Sequence, residues 1–198
     1  MKRNWMGRLF AVAVVAASWA STASAGIIPA SVTVTPEAGN FRWTYAIVLP
    51  TDMKLQAGDY FTIYDFGGLV PGTNVQPADW SFSSSMVGPV PTGLAPIDNP
   101  SIDNLTWTYN GATIPSGQVG LGNFWAVSTS GSSVTVNFTG QNPQASTGQS
   151  DRNIVDTLAP APPGPVDPPS GVPEPTTMAL AGLGLPLLGA ARLLRRKK

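Results

Sequence analysis

The stretch FRWTYAIVL, residues 41–49, carries a large apolar side chain at every second position. In an extended strand successive side chains point to opposite faces, so this spacing places the apolar set on one face of a single strand. The set consists of Phe41, Trp43, Tyr45, Ile47 and Leu49. Arg42 and Thr44 then face water. The stretch therefore predicts a half-buried β-strand with its inner face in a hydrophobic core.

The same alternation recurs between turn residues over residues 27–158. In DYFTIYDF, residues 59–66, Phe61 and Ile63 point to one side of the strand. The other side carries Tyr60, Tyr64 and Phe66. Further strands are predicted at residues 31–35, 104–109, 123–128 and 133–138 and near residues 79–82. Because Gly, Pro and Asn fill the breaks and no window is helical, the pattern predicts an all-β ectodomain, an antiparallel β-sandwich, with long loops between residues 70 and 102.

The charges of the chain are unevenly distributed. The formal net charge is zero, yet eight of the eleven basic residues lie within residues 1–8 and 192–198. Between Gly26 and Pro175 three cations face eleven acids, which gives a formal charge of −8. An acidic body repels phosphate backbones, so we expect no nucleic-acid partner.

The chain contains neither histidine nor cysteine. This excludes Ser-His-Asp and Cys-His catalytic arrangements, the usual zinc sites and a lipid-modified cysteine anchor. Paired carboxylates remain as an enzymatic option, but on one strand Asp59 and Asp65 would lie about 20 Å apart. Glycosidase pairs are separated by about 5–10 Å. We therefore expect no enzymatic activity and no cofactor.

The N-terminus has the three parts of a secretory signal peptide. Basic residues precede an apolar run at residues 9–17, and Ala23 and Ala25 supply the small side chains that signal peptidase accepts. The basic residues are Lys2, Arg3 and Arg8. The order predicts cleavage after Ala25, which leaves Gly26 as the first mature residue. The alternative, an N-terminal core helix, does not require these parts in this order.

The C-terminus combines an apolar run with a cationic end. Residues 176–194 would span about 28 Å as a helix if Arg192 extends its guanidinium to the interface, close to the bilayer core of about 30 Å. The basic stop consists of Arg192, Arg195, Arg196, Lys197 and Lys198. By the positive-inside rule this end stays in the cytoplasm, so a single short transmembrane helix is predicted, with residues 26–175 across the membrane. A buried amphipathic helix is the alternative, but the run lacks a polar stripe.

The motif before this run is Val172-Pro173-Glu174-Pro175. Its position ahead of a short apolar segment and an Arg-rich terminus resembles a PEP-CTERM sorting signal. The resemblance covers about the last 27 residues. It implies export and processing by exosortase, a membrane-embedded protease-like enzyme. Pro186, which interrupts the apolar run, is a small departure. The Leu-Pro-x-Thr-Gly pentapeptide of the sortase signal is absent. The body also resembles other PEP-CTERM exported proteins through GDYFTIYDFGG, residues 58–68, which implies no activity.

The predicted organisation has four parts. They are a signal peptide at 1–25, a β-sandwich at 26–158, a Pro-rich linker at 159–172 and a sorting and anchor segment at 173–198. Within the body, Trp80 lies in the loop-rich region and is the candidate for an exposed platform that stacks on sugar rings. Asp98 and Asp103 are weak calcium candidates, since Asp and Asn also favour turns.

These features together predict a non-enzymatic protein of the cell surface or extracellular matrix. Its expected partners are signal peptidase, an exosortase-like enzyme, the membrane through the C-terminal helix, and extracellular polysaccharide. An inner-membrane intermediate would precede a cell-surface or extracellular location. The alternative is a secreted carbohydrate- or calcium-binding β-sandwich module.

Overall fold

The computed structural model describes residues 26–162 and residue 164 as an all-β fold of eight strands. The strands are β1 (Ile28–Glu37), β2 (Asn40–Leu49), β3 (Tyr60–Phe66), β4 (Trp80–Ser85), β5 (Asp103–Tyr109), β6 (Val119–Ser128), β7 (Ser133–Pro143) and β8 (Ser150–Pro160). They form a three-stranded sheet of order β1-β2-β6 and a five-stranded sheet of order β4-β5-β3-β7-β8. All pairings are antiparallel. The predicted fold class is confirmed for the described residues.

The inner faces of the two sheets share one hydrophobic core. From the smaller sheet, β2 buries Trp43, Tyr45, Ile47 and Leu49, as the alternation in residues 41–49 predicts. From the larger sheet, Phe61 of β3 lies at the centre of an aromatic cluster. Its ring contacts those of Trp80, Trp107, Phe124 and Phe138, with centroids 4.9 to 5.5 Å apart. The cluster joins β3, β4, β5 and β7 to β6 of the facing sheet.

A bulge in β3 changes the predicted side of one residue. Strict alternation would place Phe66 on the face of β3 that points away from Phe61 and the core. In the structure Phe66 is fully buried within the shared core. The register of β3 against β5 shifts between Ile63 and Phe66, and Asp65 has a φ of 50°. One residue in the left-handed region reverses the side of the strand that follows it. The prediction for Phe66 is therefore wrong, and the bulge is the physical reason.

The loop of residues 86–100 covers the outer face of the larger sheet. The Tyr64 hydroxyl donates to the Pro89 carbonyl over 2.8 Å, and Tyr64 is fully buried although it points away from the core. Gly88 fits closely over Tyr64, since an added Cβ would lie 3.0 Å from its ring. Loop and sheet thus form a second layer of packing outside the sandwich.

The last strand lies where no strand was predicted. β8 begins at Ser150 and continues to Pro160, two residues into the segment assigned to the Pro-rich linker. Ala159 is fully buried in the core. β8 pairs with β7 along its whole length, from Ser150 to Pro160. The β-sandwich therefore includes the first two residues of that segment.

Several predictions concern residues outside the described part of the chain. These are the signal peptide with Ala23 and Ala25, the sorting motif at 172–175, the basic stop at 192–198 and the apolar run between them. Within residues 26–162 and 164, no helix has the length and apolar character to cross a membrane. The signal peptide and the transmembrane helix therefore stay predictions.

Candidate functional site

Trp80 does not form an exposed platform. Its side chain is 8% exposed and packs at the start of β4 against Phe61, Tyr109 and Phe124. Asp79, just before it, has a φ of 68°, so the chain turns sharply as it enters the strand. The prediction for Trp80 is wrong because the strand begins at this residue and directs the indole into the core.

The acidic candidates Asp98 and Asp103 serve the loop and the sheet. Asp98 accepts a hydrogen bond of 2.9 Å from the Asn104 amide, while Asp103 pairs with Phe66 at the start of β5. Burial raises the pKa of Asp65, and the negative charge of Asp98 raises it further. A hydrogen bond from the Asn99 backbone N–H acts in the opposite direction and lowers this pKa. Among the described residues no three acids come together as metal ligands. The hydrogen bond from Asn104 ties Asp98 of the loop to β5.

Asp59, in the turn before β3, carries a buried carboxyl group. It is 7% exposed, and burial raises its pKa to about 6. Its Oδ2 accepts a hydrogen bond of 2.7 Å from the Gln56 backbone N–H, which stabilises the ionised form and limits the shift. Perturbed carboxyls often mark active sites, but no second carboxylate is bonded to this one. Its geometry fits a turn that leads into β3.

This buried carboxyl predicts a pH-dependent stability. Because the folded pKa lies above the unfolded value, folding binds a proton, and stability falls as pH rises from about 4 to about 6. We expect the thermal midpoint to be about 2–5 °C higher at pH 4 than at pH 7, with the difference reduced in Asp59→Asn. Calorimetry at both pH values measures it. An equal pH dependence in wild type and variant would contradict the assignment to Asp59.

A partly exposed tryptophan lies on the outer face of the smaller sheet. Trp125 of β6 pairs with Thr44 of β2, and both point away from the core. The Arg42 guanidinium lies 5.2 Å from the centre of the indole and forms a bidentate ion pair with Glu37, at 2.6 and 2.8 Å. Exposed Asn123 precedes it on the same face of β6. An aromatic ring, a guanidinium and an amide thus share one surface. Sequence alternation alone could have placed Trp125 there, since Phe124 and Ala126 are its inward neighbours.

The first described residues are held in a polar site at the end of β7 and β8. The Ile27 N–H donates to Asn142 Oδ1 over 2.9 Å, and Asn153 Nδ2 donates to the Ile27 carbonyl over 3.0 Å. Asn142 also donates through Nδ2 to the Lys54 carbonyl. Gly26 is buried, and a Cβ there would lie 2.7 Å from Asn142 Oδ1 and 3.0 Å from Asn153 Oδ1. The predicted cleavage point therefore adjoins a buried cluster of amides that sequence analysis missed.

The comparison with known proteins concerns the C-terminal end of the chain. A family model described as the PEP-CTERM protein-sorting motif matches residues 171–197. None of the curated proteins compared with the chain gives a significant match. The resemblance found in the sequence is confirmed, and the match supports an exported protein that is targeted to exosortase through a membrane-anchored intermediate.

Proposed function

We propose that this protein is a non-enzymatic component of the cell surface or extracellular matrix, delivered by the exosortase system. The match at residues 171–197 is the observation that carries the proposal. Signal peptidase removes residues 1–25, and the C-terminal segment then holds the body outside the membrane. Exosortase acts on the segment that begins with Pro173-Glu174-Pro175. The Pro-rich linker keeps the body away from the bilayer during this step.

The body supports a structural role. Its interior is filled by side chains of both sheets, and an aromatic cluster occupies the centre. Two surface depressions, one of about 350 Å³ beside β1 and β8 and one of about 270 Å³ near Asp65 and Asn137, lie at the periphery. In the second, the polar groups already bond one another, since Asn137 accepts from Ile97 and donates to Asp156.

Mass spectrometry of both mature termini in the native host tests this proposal. We expect the mature chain to begin at Gly26 and to lack the basic end, provided that the host contains a functional exosortase. Deletion of the exosortase gene should leave the basic end attached and the protein in the membrane fraction. Recovery from the cytosol with Met1 and Lys198 both intact would contradict the proposal.

Binding of extracellular polysaccharide is the second candidate, and Trp125 favours it. The half-buried indole, the Arg42 guanidinium and the Asn123 amide lie on one open sheet face, where an aromatic surface and polar groups suit a sugar ring. This face replaces Trp80 as the candidate platform. The acidic body makes a neutral polysaccharide a better ligand than a polyanion.

A glycan array with the mature protein tests this face. If Trp125 carries the contact, Trp125→Ala should weaken binding about tenfold or more, since about 1.4 kcal/mol corresponds to a factor of ten. Ile154→Ala is the control and should bind as wild type does. The Ile154 side chain is 38% exposed on the outer face of the other sheet. Equal binding by both variants would exclude Trp125 as the platform.

A further inference from the structure

Two buried acceptors on the first residues of β8 have no hydrogen-bond donor. They are Asn153 Oδ1 and Asp151 Oδ2. In residues 26–162 and 164 only two other buried side-chain polar atoms lack a partner, and both belong to the aromatic core, on Tyr45 and Trp107. A buried acceptor without a donor is costly, and a charged one more so. A group with several N–H donors that reaches both oxygens would satisfy them.

The strand register brings these acceptors to one face. Asn142 lies directly opposite Asp151, and Gly140 lies opposite Asn153. Residues opposite each other, and residues two apart on one strand, point to the same side of a sheet. The side chains of Asn142, Asp151 and Asn153 therefore face the side on which Ile27 is bound. Gly140 leaves the space, since a Cβ there would lie 2.6 Å from Asn153 Oδ1.

Asp151 also forms no ion pair within the described residues. One ion pair is present in the described part of the chain, between Arg42 and Glu37 on the other sheet. Asp151 Oδ1 accepts from the Arg152 backbone N–H over 2.8 Å, but the side chain of Arg152, the next residue in the strand, points to the opposite face. A cation that approaches from the side of Gly26 would complete the site.

We propose that the missing donor is the α-ammonium group of Gly26, created when the signal peptide is removed. Hydrolysis of the Ala25–Gly26 bond adds water, so that Ala25 ends in a carboxylate and Gly26 begins with an ammonium. The uncleaved amide offers one N–H and no charge, whereas the ammonium offers three N–H donors and a positive charge. It binds Asn153 Oδ1 and the Asp151 carboxylate in a charge-assisted arrangement. Removal of the signal peptide thus completes the fold of the body.

The residue type at position 26 agrees with this role. Gly26 is buried between the two asparagines, and a Cβ would lie 2.7 Å from Asn142 Oδ1, closer than van der Waals contact allows. Ile27, the next residue, is fully buried and held through both its backbone groups. The new terminus therefore has a fixed position, and only the ammonium group has to orient. The inference rests on the proposed export, because cleavage after Ala25 requires signal peptidase.

The test compares two forms of the detergent-solubilised chain. One begins at Gly26 and the other retains Ala23-Ser24-Ala25, each made by cleavage of a fusion protein in vitro and each ending at Lys198. We expect the form that begins at Gly26 to melt about 3–6 °C higher. Asp151→Asn should remove this difference by lowering the midpoint of the Gly26 form alone. Asp79→Asn is the control, because Asp79 is exposed and asparagine tolerates its φ of 68°.

A chemical measurement separates docking from a general effect on stability. If the ammonium is bound, acetylation of the Gly26 amine should be about tenfold slower than in Asp151→Asn, in proportion to the fraction of unbound terminus. An equal midpoint loss from Asp151→Asn in both forms, or equal acetylation rates, would overturn the inference. Because both termini are made in vitro, these results stand apart from the mass spectrometry of the host protein, which tests export.

Discussion

Phe61→Ala should lower the free energy of unfolding by about 3–5 kcal/mol, the range for a large aromatic side chain removed from a filled core. Phe61 is fully buried, and its ring contacts four aromatic side chains of both sheets. Truncation removes all four contacts and leaves a cavity that the two rigid sheets cannot close. Since single domains are stable by about 5–15 kcal/mol, the loss is a large share of the total.

Phe82→Ala provides the matched control for this prediction. Phe82 is a half-buried phenylalanine of edge strand β4 that packs against the core. Among the aromatic rings of the described residues its ring contacts that of Trp107, with centroids 5.1 Å apart. We expect its truncation to cost about 1–2 kcal/mol. Urea unfolding of the chain from Gly26 to Lys198, followed by tryptophan fluorescence, measures both variants. Equal losses would show that the core is not centred on Phe61.

The strands with regular apolar alternation could be predicted from sequence. Apolar side chains at every second position identify such a strand without knowledge of its neighbours in the sheet. β2 is the clearest case, with Trp43, Tyr45, Ile47 and Leu49 all buried as the pattern requires. Alternation fails where the backbone leaves regular geometry. The left-handed conformation at Asp65 moved Phe66 to the core side, and a single sequence does not show whether an aspartate adopts it.

β8 was missed for a different reason. Its inward positions include Asn153 and Thr157, which are polar yet 8% exposed. Asn153 is stabilised there by its hydrogen bond to the Ile27 carbonyl, 126 residues away in sequence. Apolar periodicity detects burial by hydrophobicity and is insensitive to burial by long-range hydrogen bonding. The polar site around Gly26 was missed for the same reason, since both of its strands carry amides at inward positions.

The body and the tail thus follow different physical rules. The body depends on contacts between distant residues, so its sites emerge only when the strands are assembled. The tail depends on local order, with a motif, an apolar run and a cationic end adjacent in sequence, and it could be recognised without a fold. This is why the targeting of the protein is better defined by sequence than the chemistry of its surface.

Replacement of the sorting motif should therefore slow processing at least about tenfold while the body stays folded. The triple variant Pro173→Ala, Glu174→Ala, Pro175→Ala tests this. It loses the two fixed φ angles of the prolines and the negative charge of the glutamate next to the apolar run. Losing as little as about 1.4 kcal/mol of recognition in the rate-limiting step slows processing about tenfold. We expect the form that retains Lys198 to accumulate in the membrane fraction by at least this factor.

The matched control removes two prolines from the linker instead of the motif. Pro168→Ala with Pro169→Ala makes the linker more flexible but leaves Val172-Pro173-Glu174-Pro175 and the basic end unchanged. It should be processed as wild type is, as judged by mass spectrometry of the C-terminus. If the motif variant were also processed at the wild-type rate, the apolar run and the cationic end alone would be the signal. If both variants accumulated, the stiffness of the segment outside the membrane, and not the motif, would control access of the enzyme.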